Sequence, residues 1–420
     1  MTGGLKASLR SLRTYPRAIW ILLIGTFVYC AGAGLAFPLE GIYLRGHLHA
    51  SWFTIGILFG LLGLLASPLQ IVGGTVTDRV GRRITMIISG VSGVVWFAGF
   101  AFANRAWQVG VLVVLESALG WPLFLTSSNA MIADVLPQEQ RATAYSLIRT
   151  AMNVGVVLGP AVGGLALTLG ASFRDVFLYA AGGCAVFLVM TLAWVEETRP
   201  ASAAQRGVAK PAGYRVVMRD RRFLMFCAVA LLPLIPFGQF GAIYSTYITT
   251  ELHIKASTWP LLLALNAGIV ALLQFVAIAL SRGRDPMKLM ALASVLIAIG
   301  VGGVAFAHSL LTLAILVVVM SFGEIFFSPI ASSIVSDMAP EAVRGRYMGA
   351  WTVMWNGGAS AGPLLGGILL GSIGGRNAFG VVLVLGMIGA VLFMLLSTGR
   401  PLQTITEEAA PVVRDAERPT

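Results

Sequence analysis

Apolar residues come in long runs along this chain, and charge, proline or brief polar clusters interrupt them. Twelve runs are legible. The first six lie at about 18–40, 52–77, 84–103, 107–132, 142–170 and 174–195; the second six lie at about 222–250, 257–280, 288–307, 309–335, 346–371 and 376–397. A helix rises ~1.5 Å per residue and the hydrocarbon core of a bilayer is ~30 Å thick, so about 20 apolar residues make one crossing. The pattern predicts an all-α integral membrane protein with 12 transmembrane helices. The first run follows Lys6, Arg10, Arg13 and Arg17 as a signal peptide would, but it is too long for a cleavable apolar core and reads as the first span.

Composition supports the pattern. Of 420 residues, 57% are hydrophobic and 11% charged, against roughly 25% charged in soluble domains, which excludes a water-soluble globular protein. The net charge of +11 would raise nucleic acid as a partner, but the placement of the basic residues explains it otherwise. Of the 29 Lys and Arg, 23 fall in the terminal and central segments and in the loops after even-numbered spans. The opposite loops carry Arg45, Arg105, Arg174, Lys255 and Arg376. This asymmetry predicts a multi-pass protein with both termini cytoplasmic, the lipid bilayer as partner and no nucleic acid; the cell (plasma) membrane is its expected location. Cys30, Cys184 and Cys227 all lie in apolar runs and imply no disulfide framework.

Residues 197–221 hold prolines and clustered basic residues without a spanning run, and read as a cytoplasmic linker. They divide an N-terminal six-helix bundle, 1–196, from a C-terminal one, 222–400; the segment 401–420 reads as a disordered cytoplasmic tail. The halves repeat. An offset of 203 aligns Asp134, Pro137, Arg141, Asn153, Gly155, Gly159, Pro160, Gly163 and Gly164 with Asp337, Pro340, Arg344, Asn356, Gly358, Gly362, Pro363, Gly366 and Gly367. An offset of 204 aligns Tyr43, Leu48 and His49 with Tyr247, Leu252 and His253. Copies with an even number of spans keep the same orientation, which predicts two bundles related by a pseudo-two-fold axis along the membrane normal and a binding site near the midplane.

After span 2 stands Gly73-Gly74-Thr75-Val76-Thr77-Asp78-Arg79-Val80-Gly81-Arg82-Arg83. Gly73 and Gly74 allow close helix approach, Gly81 a tight turn, and Asp78 can accept from a helix start or an arginine. This stretch resembles the cytoplasmic signature of the major facilitator superfamily, and the resemblance covers the chain from span 1 to span 12. It implies a conformational latch made of Gly73, Gly74, Asp78, Arg79, Gly81, Arg82 and Arg83. The second copy, Leu280-Ser281-Arg282-Gly283-Arg284-Asp285, has Ser281 where the acid would stand, and implies a weaker latch.

In span 5, Gly155, Gly159, Pro160, Gly163 and Gly164 form a stretch similar to the GxxxGPxxGG signature of the drug and proton antiporter branch. Physically it is a smooth helix face with a bend. Arg149 and Asn153 resemble the Arg-xxx-Asn-x-Gly entry of that branch. The branch's LxxxRxxxG pattern reads Leu112, Glu116, Gly120 here, so no role of that arginine carries over. The resemblance implies a 12-span secondary active transporter of the multidrug-efflux kind, a monomer without a cofactor, whose partners are a small-molecule substrate and protons.

Glu324 and Glu116 are the clearest acids inside spans, ~18 Å and ~25 Å from their cytoplasmic helix ends at 1.5 Å per residue. An ionised side chain in mid-bilayer costs about 2.5–3.5 kcal/mol even on the lenient insertion scale, so each must face protein, water or a partner. Both are expected to couple protons, Glu324 the more central. Glu40, at the outer end of span 1, reads as interfacial. Arg149 is expected to face Asp134 or a substrate. Arg149, Asn153, Trp121, Tyr244, Phe327, Trp351 and Trp355 are expected to line the cavity, aromatics of this kind suiting lipophilic or cationic guests. Prolines and glycines predict kinks in span 1 (Gly32, Gly34, Pro38) and span 7 (Pro233, Pro236, Gly238, Gly241).

Other chemistry finds no purchase. There is no GxxxxGK[ST] loop, no metal-binding HExxH and no nucleophile beside a base, and His47, His49, His253 and His308 lie in outer loops. Neither an enzyme nor a metal site is expected. The leading reading is proton-coupled efflux of lipophilic or cationic small molecules by alternating access. The alternatives are a same-fold symporter or dedicated exporter of one metabolite, and a non-transporting receptor.

Overall fold

A computed structural model describes residues 15–198 and 214–398. The predicted tail 401–420 and much of the predicted linker 197–221 lie outside the described residues. Within them all regular structure is helical, in twelve columns. The first is α1 (Arg17–Ala36), a short tight turn at Phe37–Leu39, and α2 (Glu40–Gly46). Then come α3 (Trp52–Val80) and α4 (Arg82–Phe102). Span 4 is α5 (Ala106–Leu119) and α6 (Trp121–Val135), and spans 5 and 6 are α7 (Gln138–Thr168) and α8 (Phe173–Trp194). A short α9 (Tyr214–Arg219) leads into span 7, made of α10 (Arg221–Gln239) and α11 (Ala242–Thr250). The rest are α12 (Thr258–Ser281), α13 (Pro286–Gly302), α14 (Leu310–Met338), α15 (Arg344–Ile373) and α16 (Gly375–Thr398). Ten helical stretches are long and apolar enough to cross a membrane, and Thr258–Gln274 is a shorter apolar one.

Polar residues mark where helices begin. Ser172 and Asp175 form a reciprocal capping box at α8, Asp220 accepts from the Arg222 and Phe223 amides, and Ser309 accepts from Thr312 N. The expected bends in spans 1 and 7 appear as the Phe37–Leu39 turn and the break between α10 and α11. The break in span 4 at Gly120 was not expected; its backbone leaves the helical region at φ −90°, ψ −113°.

The repeat is visible in the backbone. Left-handed residues come in three pairs, His49 with His253, Gly81 with Gly283, and Gly170 with Gly374, at offsets of 204, 202 and 204. In a right-handed helical protein such residues sit only where the chain must turn, so both halves turn at equivalent places.

By packing, the chain forms two compact units. Unit 1 comprises Met1–Tyr43, Leu65–Val208 and Ala256–Leu261, and unit 2 comprises Leu44–Leu64, Ala209–Lys255 and Leu262–Thr420, so far as these residues are described. Each is built chiefly from one half of the sequence and holds a piece of the other. In unit 1, α7 lies against α1 through glycines: a β-carbon on Gly159 would stand 2.5 Å from the Ala31 carbonyl oxygen, and one on Gly163 would stand 2.2 Å from that of Leu35. Pro160, buried on the same face, abuts Gly34. In unit 2, Gly362 on α15 is pressed against α10 in the same way, with a β-carbon position 2.5 Å from the Ile235 carbonyl oxygen, and Gly56 of α3 meets Gly367 with a β-carbon position 2.9 Å from its Cα. Only glycine allows backbones this close, and the resulting contacts hold the helices by dispersion rather than by hydrophobic exclusion.

Candidate functional site

At the basic end of unit 1, one hub gathers four carboxylate and guanidinium side chains. Gly81, with φ 111°, turns α3 into α4, and the Glu197 carboxylate lies across the start of α4. Glu197 Oε1 accepts from Arg82 N at 2.9 Å and Oε2 from Arg83 N at 3.2 Å. The first amides of a helix have no internal partner and carry partial positive charge, so an anion there is favoured. A β-carbon on Gly81 would stand 2.3 Å from Glu197 Oε2 and push the carboxylate off the helix start, and the φ of 111° is itself strained for any other residue. The Arg82 side chain, only 6% exposed, donates from Nε to Asp134 Oδ2 at 2.7 Å and from Nη1 to Thr77 O at 3.2 Å; its Nη2 lies 3.1 Å from Asp78 Oδ1. Arg83 donates to Leu192 O, and Arg141 caps the end of α6 through the Leu136 and Ala133 carbonyls.

Glu116 closes the break in span 4. Its Oε1 accepts from Trp121 N at 3.1 Å and its Oε2 from Ser92 Oγ at 2.8 Å. The carboxyl folds back over Gly120, where a β-carbon would stand 1.9 Å from Oε1. The pair is thus reciprocal: the break frees an amide, the carboxyl satisfies it, and the missing side chain at 120 makes room. Gly120→Ala is expected to expel the carboxyl from this seat, costing about 1–3 kcal/mol as the charged hydrogen bond is lost. Thermal unfolding in detergent measures it, and an unshifted midpoint would show that the carboxyl does not sit there.

Glu324, half-buried on α14, faces α12. Asn266 Nδ2 donates to Glu324 Oε2 at 3.1 Å and to Ser321 Oγ at 3.0 Å, while Ser321 Oγ donates to Val317 O at 2.7 Å. Among the described residues no Lys, Arg or His pairs with Glu324 or Glu116.

The family model described as Major Facilitator Superfamily matches residues 22–307 and 237–417. The chain belongs to the major facilitator superfamily. It is therefore an integral membrane transporter of small molecules and not an enzyme. Among similar proteins, the "Multidrug resistance protein MdtH" of Edwardsiella ictaluri is 27% identical over 340 residues, covering 79% of this chain and 81% of that one. The "Na(+), Li(+), K(+)/H(+) antiporter" of Planococcus maritimus is 25% identical over 389 residues, covering 84% and 89%. The solved nucleoside transporter NupG superposes with a TM-score of 0.75 at 16% identity, over 92% of this chain and 100% of that one, a likeness of fold.

Against this superfamily framework the expected site residues fall into groups. Of the signature after span 2, Gly73 is in contact, its β-carbon position 3.0 Å from Leu123 Cδ2, whereas nothing lies within 4 Å of that on Gly74. Close approach therefore rests on Gly73 and not on Gly74. Arg79 is exposed. Arg149 and Asn153 lie on an exposed face of α7, and the expected Arg149–Asp134 pairing is replaced by Arg82–Asp134. Trp121 is 37% exposed beside Glu116, its ring 5.4 Å from that of Phe124 and 6.3 Å from that of Tyr29. In unit 2, Trp355 joins Phe237, Phe327 and Trp351 at ring separations of 5.8, 5.8 and 5.9 Å. Phe327 and Trp351 are buried at 1% and 4% exposure and support the cluster from behind, while Tyr244, at 0%, packs instead against the Phe240 and Phe379 rings; none of the three lines open space. Trp355 and Trp121 keep partial exposure.

Two functional candidates escaped the sequence reading. Glu197 gives no signal in one dimension, because it follows its helix as an ordinary loop acid. Glu40 was expected at an interface, and the structure corrects this: it is wholly buried, accepting from Trp96 Nε1 at 2.8 Å. The turn at Phe37–Leu39 swings it inward.

Proposed function

We propose that the protein is a proton-coupled exporter of lipophilic or cationic small molecules, working as a monomer by alternating access in the plasma membrane with both termini in the cytoplasm. The observation that carries this reading is Glu324: a half-buried acid in mid-helix, held by one neutral amide, with no cationic partner among the described residues. A carboxyl so placed changes its protonation when water reaches it and when a guest binds, which ties proton movement to conformation. Glu116 supplies a second acid, Trp355 and Trp121 offer partly open aromatic faces to a guest, and Arg149 with Asn153 offers a polar one. The resemblance to efflux and antiporter proteins supports the direction. The hub around Arg82 serves as the latch of one conformational state.

The test is accumulation of a lipophilic cationic dye by inside-out oriented proteoliposomes under an imposed pH gradient. Dye movement that follows the gradient and vanishes with a protonophore is expected. Gradient-driven uptake of a nucleoside or of an alkali cation, with no dye movement, would replace the proposed cargo.

A further inference from the structure

Inside unit 1 a row of polar groups runs along one face of α4. Thr85, Ser89, Ser92 and Trp96 recur at steps of four, three and four, so they share one side of the helix, and all four are buried. Two acids from different helices are hydrogen-bonded to this row one turn apart: Glu116 accepts from Ser92 Oγ at 2.8 Å and Glu40 accepts from Trp96 Nε1 at 2.8 Å. Ser92 and Trp96 are separated by ~6 Å along the axis at 1.5 Å per residue. Beside Ser92, the β-carbon position of Gly93 lies 3.2 Å from the Tyr29 hydroxyl oxygen and 3.2 Å from Cys184 Sγ.

This row is not finished as a structural network. Glu40 is 0% exposed, and its Oε2 has no hydrogen-bond partner; the hydroxyl of Thr26 on α1, also 0% exposed, has none either, and the Ser89 hydroxyl lies against that of Tyr29. Buried polar groups in native proteins are nearly always satisfied, by protein or by ordered water, and a carboxylate buried with one neutral donor and no cation is the costliest kind of exception. The titratable groups facing this region are few. Tyr29 and Cys30 come from α1, Tyr43 from α2, Glu116 from α5, and Cys184 and Arg174 from α8. Arg174 bears on Tyr43 and stacks over Phe102 at 4.6 Å, and the charged group that bears on Glu40 itself is Glu116.

We propose that Glu40 and Glu116 form a proton-binding pair inside unit 1, linked through the Ser92–Trp96 face of α4 and by water at the unpartnered oxygens. The ligand is a proton carried between carboxyls and water, and the row from Ser89 to Glu40 is its track. The bond changes are simple. A proton on one carboxyl oxygen passes to a bridging water as that water gives another to the second carboxyl, with no net change in bonding. Two like charges do not coexist here without a cation, so the pair holds at least one proton between its members. This inference rests on the proton-coupled reading above and extends proton binding to a site apart from Glu324.

Infrared difference spectroscopy of the purified transporter in lipid nanodiscs, stepped between acid and alkaline buffer, tests the pair without any substrate. The protonated-carboxyl stretching band should lose one component in Glu40→Gln and a second in Glu116→Gln, and Trp96→Phe should shift the Glu40 component without removing it. Trp96→Phe leaves both acids in place, so it reads the assignment even if Glu40→Gln folds poorly. A Glu40→Gln spectrum that keeps every band, or a Trp96→Phe spectrum with no shift, overturns the pair. Absence of proton-driven dye movement in the unmodified protein would defeat the exporter reading alone, because the infrared bands are read without transport.

Discussion

Glu324→Gln in proteoliposomes is expected to abolish dye accumulation driven by a pH gradient while leaving dye binding in place. A gradient of one pH unit supplies about 1.4 kcal/mol per proton, which at full coupling sustains about a tenfold concentration ratio of dye per proton moved. Gln keeps the volume and the neutral, hydrogen-bonding character of the protonated acid, and Asn266 can still contact its oxygen. What is lost is the capacity to release the proton. The accumulation ratio should therefore fall from about tenfold per unit to about one, for cationic and neutral dyes alike, whereas binding measured by fluorescence should change little. Glu116→Gln, by contrast, should affect the cationic dye more than the neutral one. A Glu324→Gln protein that still accumulates both dyes would move the coupling to Glu116 or to another acid.

The reasons for that contrast lie in how each acid is held. Glu324 makes its recorded contact with a neutral side chain on another helix, and this contact can break and reform as helices shift. Glu116 is bonded to a backbone amide at a fixed break in its own span, as well as to Ser92. A carboxyl that also finishes a helix cap is tied to the local backbone. Its freedom to exchange a proton is coupled to whether the Gly120 break stays in place.

Much of this architecture is legible in the chain because membrane burial has a one-dimensional signature. Apolar length gives the spans, and the repeat offset predicts that turns recur, as His49 and His253, or Gly81 and Gly283, show. The glycine-proline stretch of span 5 was also legible, because only small residues admit backbone contact such as that between Gly159 and Ala31. What stays hidden is anything decided by rotation about a helix axis or by a partner from a distant segment. Depth counting placed Glu40 at an edge, yet Trp96 reaches it from another span and a tight turn carries it inside. Helix depth offers Arg149 either Asp134 or a substrate, whereas Arg82, 52 residues from Asp134 in the chain, takes that acid. The second copy of the signature shows the same limit. Gly283 repeats the turn, but Asp285 goes to the start of α13 and to Ser397, while Arg284 and Asp337 line a cavity with Ser281 and Ser333 and form no ion pair with each other.

The largest stability effect should come from Asp134, and not from the signature acid Asp78, although both touch Arg82. Side-chain exposure separates them: Arg82 is 6% exposed and Asp134 12%, while Asp78 is 47% exposed. Removing one member of a buried ion pair leaves its partner's charge without compensation and costs about 3–5 kcal/mol. Removing a half-exposed acid four residues away on a neighbouring turn costs about 0.3–0.5 kcal/mol, since water and salt already screen it. Asp134→Ala should accordingly lower the thermal midpoint of the purified transporter far more than Asp78→Ala. Arg82 would keep the half-exposed Asp78 at 3.1 Å from Nη2, its bond to Thr77 O and its amide contact with Glu197, but none of these reaches the buried Nε that Asp134 leaves. Asp78→Asn should then separate latch from scaffold, with transport impaired while the midpoint stays near that of the unmodified protein. Equal destabilisation by Asp134→Ala and Asp78→Ala, measured side by side in detergent, would show that the buried pair holds the hub no more strongly than the exposed one and overturn the ranking.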